Sequence, residues 1–265
     1  MNYREISNTG VNVSQIGFGT VKIGRDKSVK YPTAFMIPDD KQALDLLSAC
    51  QELGINLLDT APAYGNSEQR LGQLLKPSKR HKWIISTKAG EEFDSQSGTS
   101  QFDFSKQAIT QSVERSLTRL NTDYLDIVMI HSNGEDLKII QQDQALQTLA
   151  ELKQEGKIRA IGMSTKSVLG GIAALEQSDC AMITYNLADQ SELEVIEYAG
   201  RCNKAIFVKK AFASGHLNRQ SRLDPIQESL ALIFAQASVS SAVIGTINQQ
   251  NLRANVKKYL QLVAK

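Results

Sequence analysis

Short apolar runs alternate along the chain with longer amphipathic stretches, and polar segments separate the two. A short apolar run bounded by polar residues is typical of a buried strand, whereas apolar residues three and four positions apart are typical of a one-sided helix. Regular alternation of the two indicates βα units around a parallel sheet. Eight runs are predicted to be strands: Ser14 to Phe18, Asn56 to Asp59, Trp83 to Thr87, Tyr124 to His131, Ile158 to Met163, Ala181 to Tyr185, Ala205 to Val208 and Ala242 to Gly245.

Helical spacing fills the segments between these runs. Ile109, Val113 and Leu117 recur at every fourth residue after Ser105, a residue type that caps helix N-termini. Gly156 stands where a residue of left-handed conformation would end a helix. Eight strands that each precede a helix, in a chain of 265 residues, predict a (β/α)8 barrel. A doubly wound open sheet is the alternative, because periodicity does not show closure.

A hairpin is predicted before the first barrel strand. Tyr3 to Ile6 and Val11 to Val13 flank the turn signal Asn8-Thr9-Gly10, and such a hairpin could cap the N-terminal end, or bottom, of the barrel. No linker rich in Pro, Ser or Gly and no block of like charges divides the chain. Residues 1–265 are therefore expected to form a single domain.

Composition excludes several classes of protein. With 42% hydrophobic and 22% charged residues, the chain has enough apolar surface to bury a core and is not expected to be disordered. The net charge is +2 without a dense Lys/Arg cluster, so nucleic acid is not an expected partner. No run of about 18 apolar residues occurs and no apolar signal segment opens the chain, so neither a membrane span nor export is expected. The 3 scattered cysteines fit a reducing, cytoplasmic location, and no metal site is predicted.

Ionisable side chains follow the predicted second, third and fourth strands. Asp59 ends one strand and Tyr64 comes five residues later, while Lys88 and His131 close the next two strands. Taken singly, each has an ordinary structural explanation, such as a helix cap, a solvated lysine or a buried structural histidine. In a closed barrel, however, the C-terminal ends of the strands share one rim, where the chemistry of such folds takes place. The four side chains are therefore predicted to form a catalytic cluster.

This combination of groups suits carbonyl reduction. Tyr64 holds a phenolic proton at neutral pH that it could give to a developing alkoxide. Lys88 is expected to lower the pKa of that phenol, and Asp59 to pair with Lys88. Neutral His131 is expected to donate a hydrogen bond to the substrate oxygen. Because no side chain is a good hydride source, the chemistry implies a nicotinamide cofactor.

The residues also resemble those of the aldo-keto reductases over essentially the whole length of the chain. The resemblance implies that Asp59, Tyr64, Lys88 and His131 are the catalytic tetrad and that Tyr64 is the general acid/base. It implies an oxidoreductase that transfers a hydride between NADP(H) and a carbonyl or alcohol carbon of a small molecule. The stretches that carry it are IGFGT (16–20), LLDTAPAYGNSE (57–68), STKAG (86–90), RSLTRLNTDYLDIVMIH (115–131), GKIRAIGMS (156–164) and VIGTINQQNLRANV (243–256).

Two other functions stay open at this stage. One is an interaction protein that senses nicotinamide nucleotides with weak or no turnover, as some members of the resembled family do. The other is a lyase that forms a Schiff base on Lys88. For the leading function, a small-molecule oxidoreductase, a monomer or weak oligomer is expected.

The resemblance implies a cofactor site with some departures from the family pattern. Thr165 and Met182 stand where Asn and Gln usually hold the nicotinamide amide, and Lys209 stands where an aromatic residue often stacks. At the 2′-phosphate end the usual cations are absent, although Arg253 is one helical turn away. NADP(H) is the preferred cofactor and NAD(H) is possible. The predicted cofactor-binding residues are Gly19, Thr20, Asp59, Ser164, Thr165, Lys209, Gly245, Thr246, Asn251 and Asn255.

The connection from Lys22 to Pro38 is long for a βα loop. It could form a wall of the substrate pocket, with Phe35 and Met36 as apolar contacts, or it could be an ordinary surface excursion. The sequence leaves both possibilities open.

Overall fold

Eight parallel strands close into a barrel in the computed structural model, which describes residues 1–75, 77–216 and 224–264. The barrel closes where Ala242 of the last strand pairs with Ile16 of the first barrel strand. The predicted (β/α)8 barrel is therefore confirmed, and the alternative of an open sheet is wrong. The strands are β1 (Tyr3–Glu5), β2 (Asn12–Ser14), β3 (Ile16–Gly19), β4 (Leu57–Asp59), β5 (Ile84–Ala89), β6 (Glu91–Asp94), β7 (Thr99–Phe102), β8 (Leu125–His131), β9 (Ile158–Ser164), β10 (Cys180–Thr184), β11 (Ala205–Lys209) and β12 (Val239–Ile244).

The helices surround this barrel. Ser105 accepts a hydrogen bond from the Ala108 backbone N–H, and Gly156 has a φ of +80°, so the predicted helix start and helix stop are confirmed. No helix in the described part of the chain is long and apolar enough to cross a membrane. The helices are α1 (Val21–Gly24), α2 (Asp40–Glu52), α3 (Ser67–Leu74), α4 (Lys106–Leu120), α5 (Asp136–Gln141), α6 (Ala145–Gln154), α7 (Val168–Gln177), α8 (Leu193–Arg201), α9 (Pro225–Phe234) and α10 (Gln249–Val263).

All eight predicted barrel strands are present, with small differences at their ends. The largest difference is in β12, which begins at Val239 rather than Ala242. Ser240 and Ser241 are buried there, so the first half of this strand carries polar side chains and has no apolar run to mark it.

The N-terminal hairpin closes the bottom of the barrel, as predicted. β1 and β2 pair antiparallel, and Ile6, Val11 and Val13 have no exposed surface. These three side chains form one apolar cluster with residues of the barrel strands such as Leu57 and Phe207. Burial of this cluster explains why the hairpin stays attached to the barrel.

A second hairpin, β6–β7, was not expected from the sequence. It follows β5 directly, after Gly90, whose φ is +99° and where a Cβ would lie 2.6 Å from the Phe104 ring. Polar residues dominate both strands, so the apolar pattern gives no sign of them. The hairpin packs against the turn that carries Tyr64.

A buried carboxylate joins the strands on one side of the barrel. Asp126 in β8 accepts hydrogen bonds from Arg80 Nη2 and Arg159 Nη1, each at 2.8 Å, and from the Ile85 backbone N–H at 3.0 Å. The Asp126 side chain is 1% exposed, and that of Arg80 is 10% exposed. Because both partners of the Arg80 pair are buried, loss of one leaves an uncompensated charge inside the protein.

We predict that Asp126→Ala lowers the free energy of unfolding by about 3–5 kcal/mol, the cost typical of breaking a buried ion pair. Urea denaturation with an unchanged m-value measures this. Asp45→Ala is the control, since Asp45 pairs with Lys41 on the surface and its loss should cost less than about 1 kcal/mol. Equal effects of the two substitutions would contradict the role of Asp126 as the carboxylate of a buried ion pair.

Candidate functional site

The four ionisable side chains predicted from the strand ends meet at the C-terminal end of the barrel. Asp59 ends β4, Lys88 lies in β5 and His131 ends β8. Tyr64 closes a short 3-10 turn, Pro62–Tyr64, that follows β4. All four line one cavity of about 1330 Å³. The closed barrel thus brings together groups that are far apart in the sequence.

Two glycines determine where Tyr64 lies. Gly65 has a φ of +63°, and a Cβ on it would lie 2.2 Å from the Gly24 carbonyl oxygen. A Cβ on Gly24 would lie 2.3 Å from the Tyr64 carbonyl oxygen. Since neither position has room for a side chain, the turn packs directly on α1, and Tyr64 is placed over the end of β4.

A buried ion pair lies beside Tyr64. Lys88 Nζ is 2.8 Å from Asp59 Oδ1 and also donates to the Thr60 carbonyl oxygen at 2.9 Å. The Lys88 side chain is 1% exposed, and that of Asp59 is 4% exposed. A Schiff-base lysine must be a neutral amine that the substrate can reach. The geometry of Lys88 therefore argues against the lyase.

The Tyr64 hydroxyl contacts the carboxylate of this pair. It donates to Asp59 Oδ2 at 3.4 Å, whereas Lys88 Nζ lies over the ring, 4.7 Å from its centroid. Burial and the Asp59 carboxylate together raise the pKa of Tyr64 well above its ordinary value. The net shift of the Tyr64 pKa is therefore upward, whereas the sequence led us to expect a pKa lowered by Lys88. Tyr64 is consequently a fully protonated acid at neutral pH.

His131 faces Tyr64 across the cavity and contacts an acid that sequence reasoning missed. The two rings are nearly perpendicular, with centroids 6.4 Å apart. His131 Nδ1 lies 2.7 Å from Glu91 Oε2, on β6. Burial lowers the pKa of His131, and Glu91 opposes that shift. For Glu91 itself, burial resists ionisation, but His131 and Arg25 lower its pKa to about 2.

Nine of the ten residues predicted to bind the cofactor line the same cavity. The exception is Thr20, which is fully buried. Its hydroxyl donates to the Asp59 carbonyl oxygen at 2.9 Å and accepts from the Ser67 hydroxyl at 2.8 Å. Thr20 faces away from the cavity, unlike its neighbour Gly19, and joins β3 to α3. The nine that line the cavity are Gly19, Asp59, Ser164, Thr165, Lys209, Gly245, Thr246, Asn251 and Asn255.

Lys209 organises the end of the cavity between β9 and β11. Its Nζ donates to the Ser164 hydroxyl at 2.9 Å and to the Thr165 carbonyl oxygen at 2.7 Å. Burial lowers the pKa of Lys209 to about 8. Nearby, Thr165 Oγ1 and Glu192 Oε1 are buried and have no hydrogen-bond partner among the described residues. Unpaired buried polar atoms are costly, so these two are candidates to contact a ligand.

One face of α10 also lines the cavity. Asn251, Ala254, Asn255 and Lys258 lie on this face, at the spacing of one side of a helix. Arg253 lies off this face and pairs instead with Glu52 at 2.5 Å. The expectation that Arg253 stands near the cofactor phosphate is therefore not supported. In the described part of the chain no group of His, Cys, Asp and Glu side chains is arranged to hold a metal ion.

The long connection after β3 lines the cavity. This supports its role as a wall of the substrate pocket over an ordinary surface excursion. Its lining residues are Lys22, Arg25 and residues 28–33, and Phe35 and Met36 are not among them. Met36 is 86% exposed. Tyr31 takes their place, with Lys22 Nζ 4.0 Å from its ring centroid.

Comparison with known proteins agrees with this architecture. The model of the aldo/keto reductase family matches residues 15–231. The chain therefore belongs to the aldo/keto reductase family. It is an oxidoreductase that acts on the carbonyl or alcohol group of small molecules.

Similar proteins extend over nearly the whole chain. A Pseudomonas aeruginosa protein of known structure, assigned to the aldo-keto reductases, is 48% identical over 98% of this chain and 95% of its own, with a TM-score of 0.88. The holo form of aldo-keto reductase AKR11C1 from Bacillus halodurans is 26% identical over 97% of this chain and 90% of its own, with a TM-score of 0.82. The uncharacterised oxidoreductase YqkF of Bacillus subtilis is 26% identical over 97% of this chain and 90% of its own.

Proposed function

We propose that this protein is an NADP(H)-dependent aldo-keto reductase in which Tyr64 is the general acid/base. The observation that carries the proposal is the contact of the Tyr64 hydroxyl with the buried Asp59–Lys88 pair inside a large cavity. A single domain of residues 1–265, in a cytoplasmic monomer or weak oligomer, belongs to the same proposal.

The residues lining the cavity fit a nicotinamide dinucleotide. A cavity of about 1330 Å³ is larger than the usual site for one small ligand, which leaves room for a dinucleotide and a substrate. When bound, the cofactor supplies or accepts the hydride. Thr165 Oγ1 and Glu192 Oε1, the unpaired buried atoms, suit a carboxamide that both donates and accepts hydrogen bonds. They would replace the amide partners that Met182 cannot provide.

Lys209 is assigned to the same end of the cofactor. An ammonium group has three N–H donors, and Lys209 uses two of them within the protein. The remaining donor is available to an acceptor oxygen in the cavity. Lys209 thus replaces the stacking contact of an aromatic ring with a charged hydrogen bond.

The adenosine end is assigned to β12 and α10. Gly245 and Thr246 lead into the helix, and its N-terminal amides favour a phosphate. Asn251, Asn255 and Lys258 line the cavity on the following turns. Lys258 also pairs with Asp224 at 2.5 Å. Both cations are ion-paired, but Lys258 lines the cavity and Arg253 does not, so we assign a preference for NADP(H) over NAD(H) to Lys258.

The side chains of the site have different roles in carbonyl reduction. The substrate carbon receives the hydride, and Tyr64 gives its hydroxyl proton to the carbonyl oxygen, so the product is an alcohol. Asp59 and Lys88 hold the Tyr64 ring in place. His131 polarises the carbonyl oxygen. In the oxidative direction, Tyr64 must first lose its proton, which its raised pKa opposes.

We predict that Tyr64→Phe lowers the turnover of NADPH with a reactive aldehyde by about 10²- to 10⁴-fold, the contribution typical of a general acid. NADPH affinity should not change, because the ring remains. Stopped-flow absorbance of NADPH measures the turnover, and quenching of NADPH fluorescence measures the affinity for NADPH.

Tyr198→Phe is the control for Tyr64→Phe, since the Tyr198 hydroxyl lies near Glu176, outside the cavity lining. Near wild-type turnover in Tyr64→Phe would refute its role as acid. Saturable binding of NADPH by the wild type without turnover of any aldehyde would refute the reductase activity itself.

We predict that Lys209→Met weakens NADPH binding at pH 7 by about 10-fold, or about 1.4 kcal/mol. The reason is that the variant loses a hydrogen bond from a charged donor. In the wild type, affinity should fall as the pH rises through about 8, because Lys209 then loses its proton. Affinity of the variant should stay flat over that range. Lys257→Met, on the exposed side of α10, is the control. A pH dependence that persists in Lys209→Met would contradict the prediction.

A further inference from the structure

The first part of the connection between α1 and α2, residues 25–33, forms a strap along the cavity. One end of the strap is held by the β6–β7 hairpin. Ser28 Oγ donates to the carbonyl oxygen of Gly98, in the hairpin turn, at 3.0 Å. The Arg25 guanidinium lies 3.6 Å from the centroid of the Phe93 ring in β6, and its Nη1 donates to the Ala63 carbonyl oxygen at 2.8 Å.

The other end of the strap contacts the segments that follow β11 and β12. Pro32 Cδ lies 3.3 Å from the point where a Cβ on Gly215 would be, and Gly215 follows β11. The Tyr31 hydroxyl oxygen lies 3.7 Å from the corresponding point on Gly245, which follows β12. The hairpin follows β5, and β5 and β11 are four strands apart in the closed barrel of eight. The strap therefore joins opposite sides of the C-terminal rim.

Tyr31 is the strap residue with an aromatic ring in the cavity lining. Lys22 Nζ lies 4.0 Å from the centroid of this ring, and the Phe35 ring packs edge-on with its centroid at 5.7 Å. Burial raises the pKa of Tyr31 to about 12, so the hydroxyl keeps its proton. No acceptor for this proton is found in the described part of the chain. Tyr31 is thus a fixed ring whose donor is available to a ligand.

The charges around the strap favour an anionic ligand. Between residues 22 and 33, all of them described, the cavity lining has three cations, Lys22, Arg25 and Lys30, and no carboxylate. Beside Gly245 there is also space, because a Cβ there would meet no atom nearer than the Gly19 carbonyl oxygen at 3.5 Å. Phosphate oxygens accept hydrogen bonds strongly because they are charged. A phosphate between Gly245 and the strap would meet the Tyr31 hydroxyl.

We propose that Tyr31 is a cofactor-binding residue, held by the strap over the end of β12, whose hydroxyl donates to a phosphate oxygen of the bound dinucleotide. This inference rests on the proposed function, because it takes the ligand of the cavity to be a dinucleotide. It adds retention of the cofactor to the role of the connection as a pocket wall. Since the strap spans the rim, the dinucleotide leaves only after Tyr31 has released it.

The dissociation rate of NADPH tests the proposal without any need for turnover. Stopped-flow fluorescence follows the release of bound NADPH on mixing with excess NADP⁺. In Tyr31→Phe, which keeps the ring over Lys22, we expect release about 10-fold faster than in the wild type, the effect typical of one lost hydrogen bond to a charged group. Tyr3→Phe is the control, since the Tyr3 hydroxyl donates to the Gly54 carbonyl oxygen at 2.8 Å, next to the N-terminal hairpin. Its release rate should equal that of the wild type.

The same measurement with NADH, displaced by excess NAD⁺, identifies the phosphate. Equal acceleration of both cofactors in Tyr31→Phe would support a contact with the pyrophosphate, which both contain. Acceleration of NADPH alone would support a contact with the 2′-phosphate. Unchanged release of both cofactors would overturn the proposal. A raised KM for the aldehyde with unchanged cofactor release would also overturn it and would assign Tyr31 to the substrate.

The outcomes separate the possible failures. A wild type that binds neither NADPH nor NADH would refute both the proposed function and the role of Tyr31. Binding of NADPH without turnover of any aldehyde would refute the reductase activity, while the release rates would still decide the role of Tyr31. Normal turnover with unchanged release in Tyr31→Phe would refute only the role of Tyr31.

Discussion

The ion pair between Asp59 and Lys88 is the interaction on which the site depends. Removing two charges from water costs several kcal/mol per ion, and a pair with good geometry only offsets that cost. The barrel meets this demand with one fixed acceptor and one fixed donor, because the Thr60 carbonyl oxygen accepts from the ammonium and the Ser86 hydroxyl donates to the carboxylate. The Asp59 carboxylate of this pair lies 3.4 Å from the Tyr64 hydroxyl and helps to raise the pKa of Tyr64.

The two ends of the barrel have different tasks. At the bottom, the N-terminal hairpin fills space with apolar side chains, and the buried Asp126 carboxylate is paired with Arg80 and Arg159. At the top, buried polar atoms are left without partners, and Lys210, Ala213 and Ser214 adopt positive φ values. Strained backbone and unpaired polar atoms commonly occur where a protein binds a ligand.

Much of this architecture could be predicted from the sequence, because strong signals mark it. Apolar runs are long enough to identify all eight barrel strands, and Lys88 and His131 stand out because each follows such a run. The helical period of α10 could also have excluded Arg253, which lies two residues from Asn251 and so points to another side of the helix. Glu91 gave no such signal. It lies in a polar hairpin, and its partner His131 is distant in the sequence, so only the folded chain shows their contact.

The most direct test of this view is the ionisation of Tyr64. Ultraviolet absorbance of the phenolate near 295 nm, recorded for the protein without cofactor from pH 6 to pH 12, isolates Tyr64 as the difference between wild type and Tyr64→Phe. We predict no phenolate from Tyr64 below about pH 10, the ordinary pKa of the phenol, since burial and Asp59 both favour the protonated form. A phenolate that appears near neutral pH would show that Lys88 governs the hydroxyl, and would contradict the central role assigned to Asp59.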